Sequence, residues 1–448
     1  MKSVFRFVLI IIVVFPFEKI QAQTSPTYKE IALAFFKNYK IDTGYYLKIS
    51  HRKEGWHVGK LDYENPNDIL EDQLFWSNNK RVFELLSWPK VNVTDSIAET
   101  ETESHLKMID WPALAYEFER MNYFGYPGWN WDVIDVLANK LNKTDTELEV
   151  LARAYSNYGS GFLYDQYGDF FENNDVDRKR LKDDEIVSNS RVEKFKFYQN
   201  KTLDTYSLLV EQNPLYQTKV GNVAIKLYNE FIYSYGSLNM AGDSVSAKTF
   251  LHSLNYPDSL IDQSKAFLDN VPQNGILFTA GDNDTYPLIY LQLVKGYRPD
   301  ILVLNTSLLS FRRYVRMNNK MHSGLVSIPD TSFMKTNFDY FVYGGDDIDE
   351  PIEAASLIKF LKDDWVDPNA SVTYSMGLPL KRYYSKKIFF NGNKEKNIFL
   401  GPYLFMNDLF IIDIINNHSS KRSINFTFNH ELFSRLLELG DFGYKLNL

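Results

Sequence analysis

Two carboxylates stand where an apolar run meets a helix-like segment, in the stretch GILFTAGDNDTYPLIYLQ at residues 275–292. The run 275–279 is short and wholly apolar, which is typical of a strand covered on both faces. The polar residues Asp282, Asn283, Asp284 and Thr285 follow this run, while Asn305 ends the next strand-like segment, 300–305, and Ser307 follows it. If the two runs are neighbouring parallel strands, these side chains converge beyond the carboxyl ends, where ligands bind in open α/β sheets. Because Mg²⁺, Mn²⁺ and Ca²⁺ prefer oxygen ligands, one interpretation is a divalent-cation site that handles a sugar or phosphate ligand.

A second interpretation of the same residues needs no ligand. Asp284 or Thr285 is placed to cap the helix that follows, with Pro287 in the first turn of that helix. An acid at this position gains about 0.3–1 kcal/mol from the helix dipole. A lone Asp-x-Asp does not decide between capping and cation binding, and the divalent cation is the one cofactor that the residues suggest.

Aromatic residues form a second candidate site between residues 111 and 137. Trp111, Trp129 and Trp131 lie among several Tyr and Phe residues, and Gly125, Pro127 and Gly128 predict a turn in their midst. Such rings can form a platform for a sugar or a peptide, but packing between helices is the commoner use of buried aromatic residues.

The composition excludes several classes of function. The 448 residues are 44% hydrophobic, carry a formal net charge of −8 at pH 7 and include no cysteine. A surface for nucleic acid is not expected, because phosphate binding needs clustered Lys and Arg. Disulfides, cysteine-ligated metals and thiol catalysis are excluded. Nucleophile-elbow, Walker and His-Glu-x-x-His motifs do not occur, so no catalytic residues can be assigned.

The first 22 residues have the features of a signal peptide. Lys2 and Arg6 precede the apolar run from Phe7 to Phe17, and a polar segment ends at Ala22. The apolar run is shorter than the roughly 20 residues of a membrane-spanning helix. We therefore expect an exported protein, in the periplasm, associated with the outer membrane or secreted, which does not span a membrane after signal cleavage.

The remaining chain is predicted to be α/β plus α. A small β-module (23–92) and a polar linker (93–104) precede a helical region at 105–248. In that region residues 217–236 place apolar side chains at helical spacing, and the junction at Asn213-Pro214 resembles that of a tetratricopeptide repeat. Residues 249–448 alternate strand-like and helix-like segments, which predicts a Rossmann-like parallel sheet and a final helix at 431–439.

The C-terminal region resembles the soluble domain of a known family. The string Gly281 to Leu288, then Arg298, Asp300 and Asn305 to Leu309, looks like the Gly-Asp-Asn-Asp-Thr motif and following block of bacterial, multi-spanning, protein O-mannosyltransferase-like glycosyltransferases. Residues 407–426 are similar to a second block, and the resemblance covers about 250–440. The chain has Arg422-Ser423-Ile424-Asn425-Phe426 where the family tends to have Arg-Pro-Ile-Tyr-Phe.

The resemblance implies an association with glycan handling but not transferase activity. A signal peptide, a β-module and helices are expected where the family has its membrane-embedded catalytic part. The leading hypothesis is therefore an exported, non-catalytic binding or accessory protein that recognises a glycan, a glycoprotein or a protein of the bacterial envelope. The alternative is a metal-dependent enzyme, active on glycans or phosphates, that uses Asp282 and Asp284.

Overall fold

The structure is a computed structural model that describes residues 25–62, 69–163, 181, 185–251, 254–329, 342–348, 350–362, 381–401 and 403–448. The predicted signal peptide lies outside the described residues. Within those ranges, no helix has both the length and the apolar character that a membrane crossing requires.

The N-terminal module is an antiparallel sheet covered by a helix. Strands β1 (Tyr45–Arg52), β2 (Gly55–Asp62), β3 (Ile69–Ser77) and β4 (Val82–Phe83) pair in chain order. Helix α1 (Tyr28–Asn38) begins with a capping box in which Thr27 and Glu30 bond each other's backbone N–H. Phe35 of α1 packs against Phe75 of β3 and against Trp88. The predicted β-module is confirmed, with a helix added to it.

The predicted linker at 93–104 is wrong. Most of it belongs to helix α2 (Asp95–Met108), which packs against α1. The buried face of α2 includes Thr102 and His105. Because their side chains are polar, the sequence of α2 does not show the regular spacing of apolar residues that predicts a helix. Thr102 Oγ1 donates to the carbonyl of Ala98 at 2.8 Å, and His105 Nε2 lies 2.9 Å from Tyr28 Oη. Because hydrogen bonds satisfy these side chains, a polar stripe can face the core.

The middle of the chain is helical, as predicted. Its elements are α3 (Trp111–Arg120), α4 (Trp129–Leu137), α5 (Asp145–Ser160), α6 (Asn189–Gln212), α7 (Val223–Met240) and α8 (Ser244–Lys248). Helices α5, α6 and α7 pack in succession. The predicted helix over 217–236 starts later than expected, since 217–222 form a hairpin of β5 (Gln217–Thr218) and β6 (Gly221–Asn222). Gly221 has φ +113°, a left-handed conformation that favours glycine, and so breaks the helix pattern.

The C-terminal region is a three-layer α/β domain. Its main sheet has the order β16 (Leu437–Leu439), β17 (Tyr444–Leu446), β15 (Ile424–Phe426), β7 (Ile276–Thr279) and β8 (Leu302–Asn305). β15, β7 and β8 are parallel, whereas β17 runs antiparallel to its neighbours. The α/β plus α class is confirmed, and the sheet is mixed because an antiparallel pair extends one edge.

Helices cover both faces of this sheet. Leu277 and Val303 face α9 (Asp258–Asn270) and α10 (Gly281–Lys295), while Ile276 and Phe278 face α13 (Met406–His418). Successive strand residues thus enter two different cores, which explains the unbroken apolar run at 275–278.

Smaller elements complete the domain. They are the helices α11 (Arg312–Met321) and α12 (Ala354–Lys362) and the strands β9 (Val342–Ile348), β10 (Ile352–Glu353), β11 (Lys381–Ser385), β12 (Lys387–Phe389), β13 (Asn397–Phe399) and β14 (Tyr403–Leu404). These strands form two further sheets, ordered β10-β12-β13 and β11-β9-β14. The predicted final helix at 431–439 is wrong, since a 3₁₀ turn at Glu431–Phe433 leads into β16. Pairing of β16 with β17 determines that conformation, and residues 431–439 taken alone do not reveal it.

Candidate functional site

The acidic loop, defined as Gly281 to Thr285, is the first turn of α10. The helix begins at Gly281, whose φ of +75° lets the chain turn sharply out of β7. Ala280 occupies the N-cap and no side chain caps the helix. The predicted N-cap at Asp284 or Thr285 is therefore wrong, and Pro287 lies inside the helix. The chain enters the helix earlier than the sequence suggested, because Gly281 provides the turn.

The two acids point in different directions. Residues two positions apart on a helix stand roughly 200° apart around its axis. Asp282 lies beside Lys226 and Glu230 of α7 and is hydrogen-bonded to Tyr286. Asp284 instead faces Thr427, whose hydroxyl donates to the carboxylate at 3.4 Å. Asp282 and Asp284 do not converge on one ligand, and the described residues contain no group of three acidic, His or Cys side chains placed to hold a metal ion.

Burial raises the pKa of both carboxyl groups. At Asp282, burial is the largest cause, Lys226 opposes it, Glu230 adds to it, and the net pKa lies above the ordinary value. At Asp284, burial raises the pKa and the Thr427 hydroxyl offsets only part of that effect. The folded protein therefore stabilises the neutral form of each acid relative to the unfolded chain.

Asn283 joins the α/β domain to the helical region. Its Nδ2 donates to the carbonyl of Val220 in the β5–β6 hairpin at 2.8 Å. Its Oδ1 accepts from Nδ2 of the buried Asn229 on α7, also at 2.8 Å. Tyr256 donates to Asn229 Oδ1 at 3.0 Å and completes the chain of hydrogen bonds. The acidic loop is thus a docking element between two parts of the molecule.

Thr285 and Asn305 meet at the carboxyl ends of β7 and β8, as the sequence predicted. Asn305 Nδ2 donates to Thr285 Oγ1 at 2.8 Å, and Asn305 Oδ1 accepts from the backbone N–H of Leu308 at 3.1 Å. The hydroxyl oxygens of Thr285 and Thr279 lie 2.7 Å apart, and Thr279 was not singled out by the sequence. Ser307 is exposed and outside this buried network. The network fixes the two strand ends and uses both polar atoms of the Asn305 side-chain amide.

Each of the three candidate tryptophans packs against another ring. Trp111 lies 4.7 Å from Tyr28 in the N-terminal core, measured between ring centroids. Trp129 lies 5.2 Å from Phe124 and Trp131 lies 5.3 Å from Tyr158, both against the core of the helical region. The rings are divided between two cores and serve packing.

A polar cavity of about 160 Å³, which sequence reasoning missed, lies between α5, α6, α7 and the hairpin. Its walls are Glu149, Arg153, Ser156, Asn157, Tyr206, Thr218, Lys219, Val220, Lys226 and Glu230. The pairs 149/153 and 226/230 each place opposite charges four residues apart, a pattern usually assigned to the exposed face of a helix. One feature of the sequence could have indicated the cavity: Glu149 and Arg153 lie beside the apolar positions Leu148, Leu151 and Ala152 of the same helix.

The charges around the cavity are compensated. Glu149, fully buried, accepts from Tyr116, from Arg120 at 2.9 Å and from Tyr216 at 2.8 Å. Glu117 of α3 pairs with Arg153 at 2.7 Å and with Lys219 at 3.0 Å. Burial acts to raise the pKa of Glu117, but these two cations outweigh it and lower the pKa. Glu117 is therefore ionised at neutral pH.

Lys226 connects the cavity to the acidic loop. It pairs with Glu230 at 2.5 Å. Burial acts to lower the pKa of Lys226, but the Glu230 and Asp282 carboxylates outweigh it, so the pKa is raised. Ser156 and Gln199 also donate to Glu230, at 3.1 and 2.8 Å.

Several buried polar atoms in or near the cavity wall have no hydrogen-bond partner among the described residues. Among the described residues, no group hydrogen-bonds Tyr206 Oη or Arg153 Nη1, both on lining residues. Glu117 Oε2 and Gln199 Oε1, on side chains that contact the lining residues Arg153 and Glu230, are likewise unpaired within the described part of the chain. Leaving buried polar groups unpaired costs about 1–3 kcal/mol each, so such a cluster points to a ligand or to ordered water.

The fold and the site define a protein with a helical layer and an α/β domain joined beside a polar cavity. Residues 260–400, about a third of the chain, match the family model described as TMEM260-associated domain 2. No curated protein and no solved structure matches the chain. The matched segment includes the acidic loop, β7, α10 and β8, and it lies within the region that carries the resemblance described above. The cavity residues, 149–230, lie outside it.

Proposed function

We propose that this is an exported, non-catalytic binding or accessory protein of the bacterial envelope, located in the periplasm, at the outer membrane or outside the cell. Its partner is a glycan, a glycoprotein or another protein. The observation that carries the proposal is the polar cavity with its buried, unpaired hydrogen-bonding atoms. A preformed site of this kind loses little conformational entropy when it binds.

The role of the acidic loop supports the same proposal. Asn283 uses its side chain to dock the α/β domain on α7 and the hairpin, and Asp282 faces Lys226. The loop thereby contacts Val220 and Lys226, two residues that line the cavity. The segment Gly281 to Leu288, which resembles a motif of protein O-mannosyltransferase-like glycosyltransferases, then acts as a connection between domains.

The alternative is a metal-dependent enzyme, active on glycans or phosphates, and one observation favours it. Asp284 lies beyond the carboxyl ends of the parallel strands β7 and β15, and Thr427 donates a long hydrogen bond of 3.4 Å to it. A carboxyl group with a raised pKa at such a location is a candidate for proton transfer or cation binding.

One experiment separates the two proposals. The protein is incubated with a library of glycans and glycopeptides, with and without Mn²⁺, and the retained and released molecules are weighed by mass spectrometry. Retention without a change of mass supports the binding protein. A metal-dependent change of mass that Asp282→Asn/Asp284→Asn abolishes supports the enzyme. If no molecule is either retained or converted, both the enzyme and a protein that binds glycans or glycoproteins are contradicted.

A further inference from the structure

A larger cavity, of about 420 Å³, lies in the α/β domain between one face of α11 and the segment 326–329 that follows it. We call it the α11 cavity. Pockets for small ligands measure roughly 300–1,000 Å³, so a compact organic molecule fits inside. The α11 cavity lies within the segment 260–400 that matches the family model, and its lining residues differ from those of the cavity between α5, α6, α7 and the hairpin.

Hydrogen bonds hold the walls of the α11 cavity in place. Asn319 Oδ1 accepts from the backbone N–H of Val326 at 3.2 Å, which fixes the segment 326–329 against α11. On the other side, the buried Asp413 of α13 accepts from the backbone N–H of Ser327 at 2.5 Å and from that of Ile328 at 2.9 Å. The described walls are therefore formed before any ligand arrives, and little affinity is lost to ordering them.

One wall of the α11 cavity is cationic. Arg316 and Lys320 both line it, and their spacing of four residues places them on the same face of α11. This helix has four cations and no acid in its 10 residues, although the whole chain carries a net charge of −8. No carboxylate occurs among the described residues that line the cavity. Such a wall favours an anion, and the guanidinium fork of Arg matches two oxygens of a carboxylate or phosphate.

The donors on this wall are accessible to a ligand. Lys320 is exposed, and Arg316 and Asn319 are partly exposed. Asn319 uses Oδ1 to accept from Val326, and neither its Nδ2 nor the Lys320 ammonium group has a hydrogen-bond partner among the described residues. An amide N–H and an ammonium group can each donate to an oxygen of an anionic ligand.

The facing wall of the α11 cavity is apolar. Val326, Ile328 and Pro329 line it, and Val315 of α11 extends it. A bare inorganic anion would leave this wall in contact with water. An aliphatic group on the ligand would cover the wall, and the removal of apolar surface from water favours binding.

From these features, we propose that the α11 cavity binds a small amphipathic anion. Its carboxylate or phosphate group accepts from Arg316, Asn319 and Lys320, and its aliphatic body covers the apolar wall. This site is separate from the proposed partner-binding function and does not depend on it.

The test titrates the full protein, by calorimetry or NMR, with hexanoate and with hexyl phosphate. Hexanol has the same aliphatic body without a charge, hexylamine has the opposite charge, and acetate and inorganic phosphate have the anionic group without the body. We expect at least one of the two amphipathic anions to bind about tenfold or more tightly than each of these controls. Lengthening butanoate to hexanoate should tighten binding by up to about fourfold per methylene. The tighter of hexanoate and hexyl phosphate identifies the anionic group.

Two variants locate the site. Lys320→Gln should weaken binding of the anion by about three- to tenfold, and Arg316→Gln, which removes the fork, by about tenfold or more. Lys359→Gln is the matched control, because Lys359 is an exposed lysine in the last turn of α12 that does not line the cavity, and it should leave binding unchanged. Thermal unfolding checks that each variant is folded, and Lys320 is exposed, so its replacement keeps the test valid if Arg316→Gln fails to fold.

Four results would overturn the inference. Equal binding of hexanol and hexanoate would show that the charge is not recognised, and equal binding of inorganic and hexyl phosphate would show that the apolar wall plays no part. Equal affinity of Lys320→Gln and the control variant would place the anion elsewhere, and no binding of either amphipathic anion would leave the cavity without this ligand. The glycan-library experiment is decided independently of all four, because it does not use this cavity.

Discussion

Replacement of Asn283 by alanine tests whether the acidic loop is a docking element. The variant loses two hydrogen bonds of 2.8 Å, one to the Val220 carbonyl and one from Asn229. Each is worth about 0.5–1.5 kcal/mol. The Val220 carbonyl is only half-buried and can be hydrated, whereas Asn229, 1% exposed, keeps an unsatisfied buried donor. We therefore expect the free energy of unfolding to fall by about 2 kcal/mol.

The assay is urea unfolding followed by circular dichroism, with Asn270→Ala as the matched control. Asn270 makes one exposed hydrogen bond, to the carbonyl of Ala266 on its own helix, so its loss should cost less than about 0.5 kcal/mol. A double-mutant cycle with Asn229→Ala should give a coupling energy near 1 kcal/mol. If Asn283→Ala matches the control and the cycle shows no coupling, the loop does not hold the domains together, and its side chains are free for a ligand.

Three further predictions concern single residues. Asp284→Asn should raise the midpoint of thermal unfolding at pH 7. Because folding raises the pKa of Asp284, the ionised acid lowers stability as the pH rises above the unfolded pKa, and the gain from the substitution should therefore shrink towards pH 4. A lower midpoint for the variant at pH 7 would contradict the buried-acid interpretation. Gly281→Ala should lower the free energy of unfolding by about 1–2 kcal/mol in urea titrations, since φ is +75° although the space around Cβ is open, and a neutral result would mean that the turn relaxes. Glu149→Gln should cost about 2 kcal/mol in the same titrations, because the hydrogen bonds from Arg120, Tyr116 and Tyr216 then reach a neutral amide and not a buried carboxylate, and a change below about 0.5 kcal/mol would contradict this reasoning.

Residues 275–305 show why the local pattern was predictable. The sequence has an apolar run that ends at Gly281, then a segment with helical periodicity, then another apolar run. These three patterns specify a strand, a helix and a strand. Both strands are covered on two faces, so their apolar composition directly indicates that they are buried. Helix α2 was missed for the opposite reason, since its core-facing residues Thr102 and His105 are polar and satisfied by hydrogen bonds that no linear pattern reveals.

The candidate site was only partly predictable. The sequence correctly brought Thr285 and Asn305 together, because neighbouring parallel strands place their carboxyl ends side by side. It could not show that Asp282 and Asp284 diverge, since that depends on the residue at which the helix begins. Nor could it find the cavity, whose walls combine α5 with α6, the hairpin and α7 from later in the chain.

The sequence by itself determined the α/β plus α class, the positions of most helices and strands, and the location of the acidic residues at a strand–helix junction. Periodicity and glycine conformation are local properties, so they can be read along the chain. The tertiary structure alone decided what those residues contact: Asn283 docks on Asn229 and Val220, and Asp282 faces Lys226. It also buries Tyr206 Oη without a hydrogen-bond partner among the described residues. These relations depend on how helices far apart in the sequence pack together, and that packing decides whether the same residue types lie on an exposed surface or in a buried contact.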